Sequence, residues 1–309
     1  MAQHIVITAS GSNVSMWDTT PPQPAAVAVA LNQSLCYWQP LGNYPASVTN
    51  PQMGQSVQDG VNEIVRLIND VYPPGNPRGT SFILLGYSQG AIVVSHFVRD
   101  ELLSATGRCA GRAGDLVAVG VWGNPCRLPG WASGNQYAGW PLPADLDGVV
   151  TGGIAGPDCL QPQHVVPHLA NPVTHFWGEW VNTIGDGNDL YTDAPVGPPS
   201  GSPAGLNIST SGPPWVNEPP AGVYETQIYN IVQQWWPNVL AIALDIFRIF
   251  GPDLFEQLMG IAEAVINGGM FLAAGPNASH YTYDITPIIN FIGQAAAETP
   301  PFPSIASQM

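Results

Sequence analysis

Thr80-Ser81-Phe82-Ile83-Leu84-Leu85-Gly86-Tyr87-Ser88-Gln89-Gly90-Ala91-Ile92-Val93-Val94 is the stretch whose reading decides the fold. An apolar run of strand formers ends at Gly86, Gly-x-Ser-x-Gly follows, and a helix-compatible segment begins at once. That context is a nucleophile elbow, a sharp strand-to-helix turn that exposes one serine at the top of a sheet. The two glycines answer to crowding: strand and helix backbones nearly touch at such a turn, so its flanking positions carry no large side chains. The turn also puts Ser88 at a helix N-terminus, where the dipole favours developing negative charge. A bare Gly-x-Ser-x-Gly means little in a chain with 34 glycines; the strand before it and the helix after it carry the reading.

Outward from the elbow, the chain alternates. His4 to Thr8 predicts a first strand, followed by the small-residue loop Ala9-Ser10-Gly11-Ser12-Asn13. Ser34 to Trp38 predicts a second strand. Val57, Val61, Ile64, Val65, Ile68 and Val71 recur at helical spacing and share one face, until Tyr72-Pro73-Pro74-Gly75 stops the helix. Asp115 to Trp122 and Glu179 to Ile184 predict further strands, the latter delivering the loop Gly185-Asp186-Gly187-Asn188-Asp189-Leu190-Tyr191. Strand, helix, strand, helix, strand predicts an α/β fold: a central parallel sheet with right-handed crossovers and helices on both faces. The site is then expected at the carboxyl ends of the strands.

The rest is less regular. Residues 126–172 are rich in Pro, Gly and Trp, and 194–220 form a Pro/Gly/Ser linker. Residues 221–274 read as helical, interrupted at Pro237 and Pro252, and nearly apolar all round in the middle. This predicts a core over 1–193, a linker and helical cap inserted over 194–274, and a return to the core over 275–309. Trp215, Trp235 and Trp236 suit either a lipid- or sugar-facing surface or interface packing.

With 309 residues, 45% of them hydrophobic, the chain can bury a sizeable core. Its 22 acidic and 7 basic residues give a net charge of −15, and every cation is arginine. Such a surface repels phosphate backbones and argues against nucleic-acid binding. Cys36, Cys109, Cys126 and Cys159 contain no Cys-x-x-Cys pair, so zinc has no support. Cys126 and Cys159 flank the irregular stretch and could form a disulfide, though two free buried thiols suit the sequence at least as well. No basic n-region and apolar h-region open the chain, so no signal peptide is expected, and Val239 to Phe250 is too short and too charged to span a bilayer.

A serine nucleophile needs a base, and the base an orienting carboxylate. In the order serine, acid, histidine, only His280 among the six histidines follows the loop with Asp186 and Asp189. Asp189 is the favoured acid. Asp186, between two glycines, suits an Asx turn; Asp145, Asp147 and Asp158 sit in irregular sequence away from a strand end. The oxyanion donors are expected at the backbone N–H groups of Gln89 and Ser12. His164 and His168 have metal-ligand spacing, but prolines deny them a helix. His96 reads as a packing or surface residue.

Gly86 to Val94, Trp38-Gln39-Pro40-Leu41-Gly42-Asn43-Tyr44-Pro45-Ala46, Trp122-Gly123-Asn124-Pro125, Asp189-Leu190-Tyr191 and His280-Tyr281 together resemble the mycobacteriophage lysin B family, a cutinase-like group of serine esterases. The resemblance implies an α/β-hydrolase fold and a catalytic set of Ser88, Asp189 and His280, with no cofactor or metal. It implies cleavage of the ester between mycolic acids and arabinogalactan during phage lysis, by an enzyme made in the infected cell and acting at the envelope. Other lipid esters are the alternative substrates. The family carries a helical domain between acid and histidine, matching 194–274. Some members add an N-terminal wall-binding module, expected to be absent here because the first strand begins near Met1. The loop Ala9-Ser10-Gly11-Ser12 departs from the His-Gly form of some relatives.

Overall fold

The computed structural model describes residues 2–48, 50–145, 150–155, 159–165, 176–183, 189, 191–194, 196–197 and 279–301. Within them, five parallel strands form one sheet: β1 (His4–Ala9), β2 (Cys36–Pro40), β3 (Phe82–Tyr87), β4 (Leu116–Trp122) and β5 (Trp177–Trp180). They lie in the order β2-β1-β3-β4-β5. The chain leaves β1 first to one side and then to the other. The crevice between β1 and β3 is therefore the topological switch point, where open α/β sheets bind ligands.

β1, β3 and β4 are buried along their whole length. This explains why they read as continuous apolar runs rather than alternating ones. Period-2 geometry sorts their side chains between two cores. Ile5, Ile7, Phe82 and Leu84 join the core beneath α2 (Met53–Arg66) and α3 (Gln89–His96). Val6, Ile83, Leu85 and Tyr87 join the opposite core, with α1 (Pro24–Ala30) and α5 (Thr286–Glu298). A six-residue helix, α4 (Ser133–Ala138), packs beside β5 within the stretch read as irregular.

The predicted helical face is buried at Val57, Val61, Ile64, Val65 and Ile68. Each such side chain contributes on the order of 1.5–3 kcal/mol by leaving water. The helix closes in a π turn over Leu67–Val71. β2 runs two residues later than expected and ends in a proline. Only an edge strand tolerates this, because Pro40 has no N–H to give a second neighbour. β5 is also displaced from the expected 179–184: β4 pairs with it from Val119↔Trp177 to Trp122↔Trp180, and there β4 ends. α1 and α5 have no counterpart among the elements the sequence predicts. α5 buries Ile288, Phe291, Ile292, Ala295 and Ala296, at helical spacing.

Cys126 and Cys159 form a disulfide, while Cys36 and Cys109 are free and buried. Burial pushes both free thiols up to about 11 and leaves them unreactive. Most of the predicted insertion, including Trp215, Trp235 and Trp236, lies outside the described residues, as do Asp147, Asp158, Asp186 and His168.

Candidate active site

Ser88 follows β3 with φ 56° and ψ −123°, in the region that favours glycine. Its N–H donates to Trp122 O (3.1 Å), tying the turn to the end of β4, and its carbonyl accepts from Ala91 N–H (2.9 Å) to start α3. The flanking glycines are sterically required. A Cβ at Gly86 would sit 2.7 Å from Gly90 O, and one at Gly90 would sit 1.9 Å from Ala9 O. Gly90→Ala must therefore push α3 away from β1. It should cost about 1–3 kcal/mol or more, seen as a lowered melting temperature. An unchanged melt would contradict this account of the elbow.

His280 lies in a 3-10 turn (Ser279–Tyr281) just before α5. Its Nδ1 is 2.8 Å from Asp189 Oδ2, and its Nε2 is 2.9 Å from Ser88 Oγ. A carboxylate only accepts, so Nδ1 carries the proton of the neutral ring and Nε2 accepts from the serine hydroxyl. Asp189 and His280 are both buried. Asp189 Oδ1 accepts from Tyr191 N–H (3.1 Å), so this residue closes an Asx turn while also facing the histidine.

Tyrosines surround the imidazole. Tyr87 stacks on it at 5.2 Å between centroids and donates its hydroxyl to His280 O (2.7 Å). Tyr191 lies 4.6 Å away and tilted, and Tyr281 packs edge-on. Burial raises all three phenols, Tyr191 to about 12, with the charge of Asp189 adding to each. They stay neutral at working pH. Gly123 (φ +56°) leaves room for the ring, since a Cβ there would come within 2.8 Å of His280 Cε1.

Ser88, His280, Gln89 and Ser12 all line one cavity of about 380 Å³. Val14, Val48, Met53, Ile92 and Pro125 give it an apolar wall. The Gln89 side chain is held by the Tyr44 hydroxyl (2.8 Å), the Ser56 hydroxyl (3.2 Å) and the Ser47 carbonyl (3.0 Å), which fixes the first residue of α3. Gly11 N–H donates to Gln23 Oε1 (3.1 Å), fixing the loop that carries Ser12.

The other candidates lie elsewhere. Asp145 is exposed. His164 ends a 3-10 turn (Pro162–His164), short of the helix that metal spacing requires. Among the described residues, the one grouping with metal-ligand chemistry is His96, Cys126 and Cys159, whose sulfurs are already joined to each other. Burial and the charge of Arg99 push His96 down to about 4.

No protein-family profile matches the chain. It is 39% identical over 100 residues to endolysin B of Mycobacterium phage D29, a match spanning 32% of this chain and 38% of the relative. It is 35% identical over 113 residues to endolysin B of Mycobacterium phage L5, spanning 37% and 43% respectively. The matches thus span about two fifths of the length of these relatives. Across nearly the whole chain, the crystal structure of lysin B from mycobacteriophage D29 superposes with a TM-score of 0.59 at 23% identity, covering 94% of this chain and 99% of that one. The fold is that of lysin B.

Within this lysin B fold, an ion pair that the sequence did not signal braces the acid-bearing segment. Fully buried Arg127 pairs with Asp193 (3.3 Å) and donates to Thr192 O, Thr151 Oγ1 (2.9 Å) and Trp131 O (3.1 Å). Thr192 and Asp193 in turn donate their N–H groups to Asp189 O at 2.9 and 2.8 Å. Beside this network lies Glu179 of β5, whose Oε2 accepts from Asn124 Nδ2 (3.1 Å) and Trp177 Nε1 (3.3 Å). Its Oε1 has no partner among the described residues.

Burial pushes the Glu179 carboxyl up to about 8, against these two hydrogen bonds and Arg127. This favours its protonated form at neutral pH; the ion pair of Arg127 is with Asp193, whose carboxyl burial raises against the lowering effect of Arg127. Because the folded value lies above the unfolded 4.5, this group's contribution is complete below the unfolded value. It falls as pH rises and is lost once pH passes the folded value. Melting temperatures at about pH 5 and about pH 9 should thus differ more for the wild type than for Glu179→Gln, which cannot ionise. Parallel shifts in the two proteins would refute the assignment.

Proposed function

We propose that this chain is a serine esterase of phage lysis that cleaves the ester between mycolic acids and arabinogalactan in the mycobacterial envelope. The observation that carries the reading is the continuous hydrogen-bonded path from Ser88 Oγ through His280 to Asp189, opening into one cavity. Similarity to endolysin B supports the place in lysis. The mycolyl substrate rests on the family resemblance, and the apolar wall beside Ser88 is compatible with an acyl chain. A volume of about 380 Å³ is at the small end for ligand sites, so it suits the ester and the nearest methylenes of a longer chain.

The residues divide the work in two acyl-transfer steps. His280 Nε2 takes the Ser88 proton as Oγ attacks the ester carbonyl, and Asp189 stabilises the imidazolium that forms. Gln89 N–H and Ser12 N–H are the proposed donors to the tetrahedral oxyanion. The imidazolium then protonates the departing sugar oxygen, and water repeats the sequence on the acyl-enzyme.

Whole-protein mass spectrometry after treatment with a serine-directed phosphonate tests the chemistry. A single adduct on Ser88 is expected, and an unmodified protein would point instead to a non-catalytic envelope-binding role. Release of free mycolic acids from isolated mycolylarabinogalactan tests the substrate. Cleavage of simple triglycerides with none of that release would mark a general lipid esterase.

A further inference from the structure

Asp189 Oδ2 receives two donors: His280 Nδ1–H at 2.8 Å and the Tyr283 hydroxyl at 2.7 Å. Tyr283 is buried, three residues before α5 begins at Thr286, and belongs to the core formed by α1, α5 and the sheet. Its oxygen also faces a donor, since Asn182 N–H points at it from 3.2 Å. A phenol has one proton and that proton cannot go to an N–H, so it goes to Asp189. Asn182 is itself fixed, giving its side-chain amide to Ser279 O (2.9 Å) and Thr282 Oγ1 (3.2 Å). One short segment therefore supplies both the imidazole and the phenol that meet at a single carboxylate oxygen.

A buried carboxylate without donors is costly, and its charge is sustained by hydrogen bonds to the ionised form. Asp189 has the Tyr283 hydroxyl on Oδ2 and the Tyr191 N–H on Oδ1 in addition to the histidine. Among the described residues, Arg127 interacts with the charge of Asp189 but is committed to Asp193 and backbone carbonyls. The other ionisable groups that interact with the charge of Asp189 are the phenols of Tyr87, Tyr191 and Tyr281 and the carboxyl of Asp193, which is itself paired with Arg127. Tyr283 is raised far above the ordinary phenol range by burial and then by the charge of Asp189, so it donates and does not act as a base.

We propose that Tyr283 is a positioning residue for the reaction, its hydroxyl holding Asp189 Oδ2 turned toward His280. The proposal rests on the serine-esterase reading. It assigns Tyr283 no contact with substrate; the residue acts through Asp189.

The test compares Tyr283→Phe with wild type on a short-chain nitrophenyl ester, with Ser88→Ala and Tyr137→Phe as references. Tyr137 is exposed and gives its hydroxyl to Gln294 (3.2 Å), so it reports the loss of a phenol remote from the site. For Tyr283→Phe the expected loss is roughly 10-fold to 100-fold in kcat with KM nearly unchanged. The acid limb of the kcat/KM profile should also move to higher pH. A carboxylate relieved of one donor holds an imidazolium more firmly against a neutral ring, so the protonated ring persists further. A purely structural role would lower the melting temperature and leave the limb in place.

If Tyr283→Phe does not fold, 3-fluorotyrosine placed at 283 alone keeps the shape and strengthens the donor, and the limb should move to lower pH. A limb unmoved by either change overturns the proposal. Activity surviving in Ser88→Ala would instead overturn the esterase reading beneath it, so the two failures are distinct.

Discussion

Ser88→Ala should lose at least about 10³ in kcat while folding normally, because removing the nucleophile disables the Ser–His–Asp unit as a whole. The structure adds a control. Ser88 sits at φ 56°, a conformation that costs a non-glycine residue on the order of 1–3 kcal/mol. Alanine carries the same Cβ and the same strain, so its melting temperature should stay near the wild-type value. Glycine is at ease there, so Ser88→Gly should melt higher than both while being equally inactive. Hydrolysis of a short-chain ester, with thermal melts of the three proteins, checks this. Near-normal turnover in either variant would remove the basis for the proposed mechanism. Equal melts for Ala and Gly would show that the turn stores no strain.

Asp189→Asn should lose roughly 10² to 10⁴ in activity. The amide can hold the ring in place, but its NH₂ favours the tautomer with the proton on Nε2, where Ser88 needs an acceptor. The surroundings of Asp189 predict a second effect. Three donors converge on the carboxylate: His280 Nδ1–H, Tyr283 O–H and Tyr191 N–H. An amide has one oxygen, so whichever way it is turned at least one buried donor loses its acceptor, costing about 1–3 kcal/mol. A fall in melting temperature should therefore accompany the loss of rate. If Asp186→Asn proved the crippled enzyme and Asp189→Asn stayed active, the acid would be misassigned by three residues.

The elbow was legible because its demands are local. Gly86 and Gly90 stand beside Ser88 in sequence, and the apolar run before them forms the central strand. His280 was legible by order alone, as the one histidine following the acid loop. The choice between Asp189 and Asp186 stayed open because an Asx turn and a catalytic carboxylate look alike in a loop, and Asp189 in fact performs the turn while facing His280. Tyr283 gave no signal, since its partner lies 94 residues away and tyrosines are common in cores. Arg127 was equally opaque: an arginine near Pro and Gly reads as surface until its partners 65 and 66 residues on come into place. β5 was displaced because its ends are set by where β4 stops, which its own residues do not encode. α5 is different, since its apolar spacing at 288, 291, 292, 295 and 296 was readable.

Ser88 and His280 are 192 residues apart, and that interval has a meaning in time. Ribosomes add about 5–20 residues per second, so the serine turn emerges roughly 10–40 s before the residue proposed to draw off its proton. Throughout that interval the growing polypeptide holds Ser88 without His280, the proposed base. On the proposed mechanism the site is complete only once the segment bearing His280 has joined the turn that carries Ser88. On that reading, a chain abandoned before His280 is made carries the serine turn without the imidazole that would activate it.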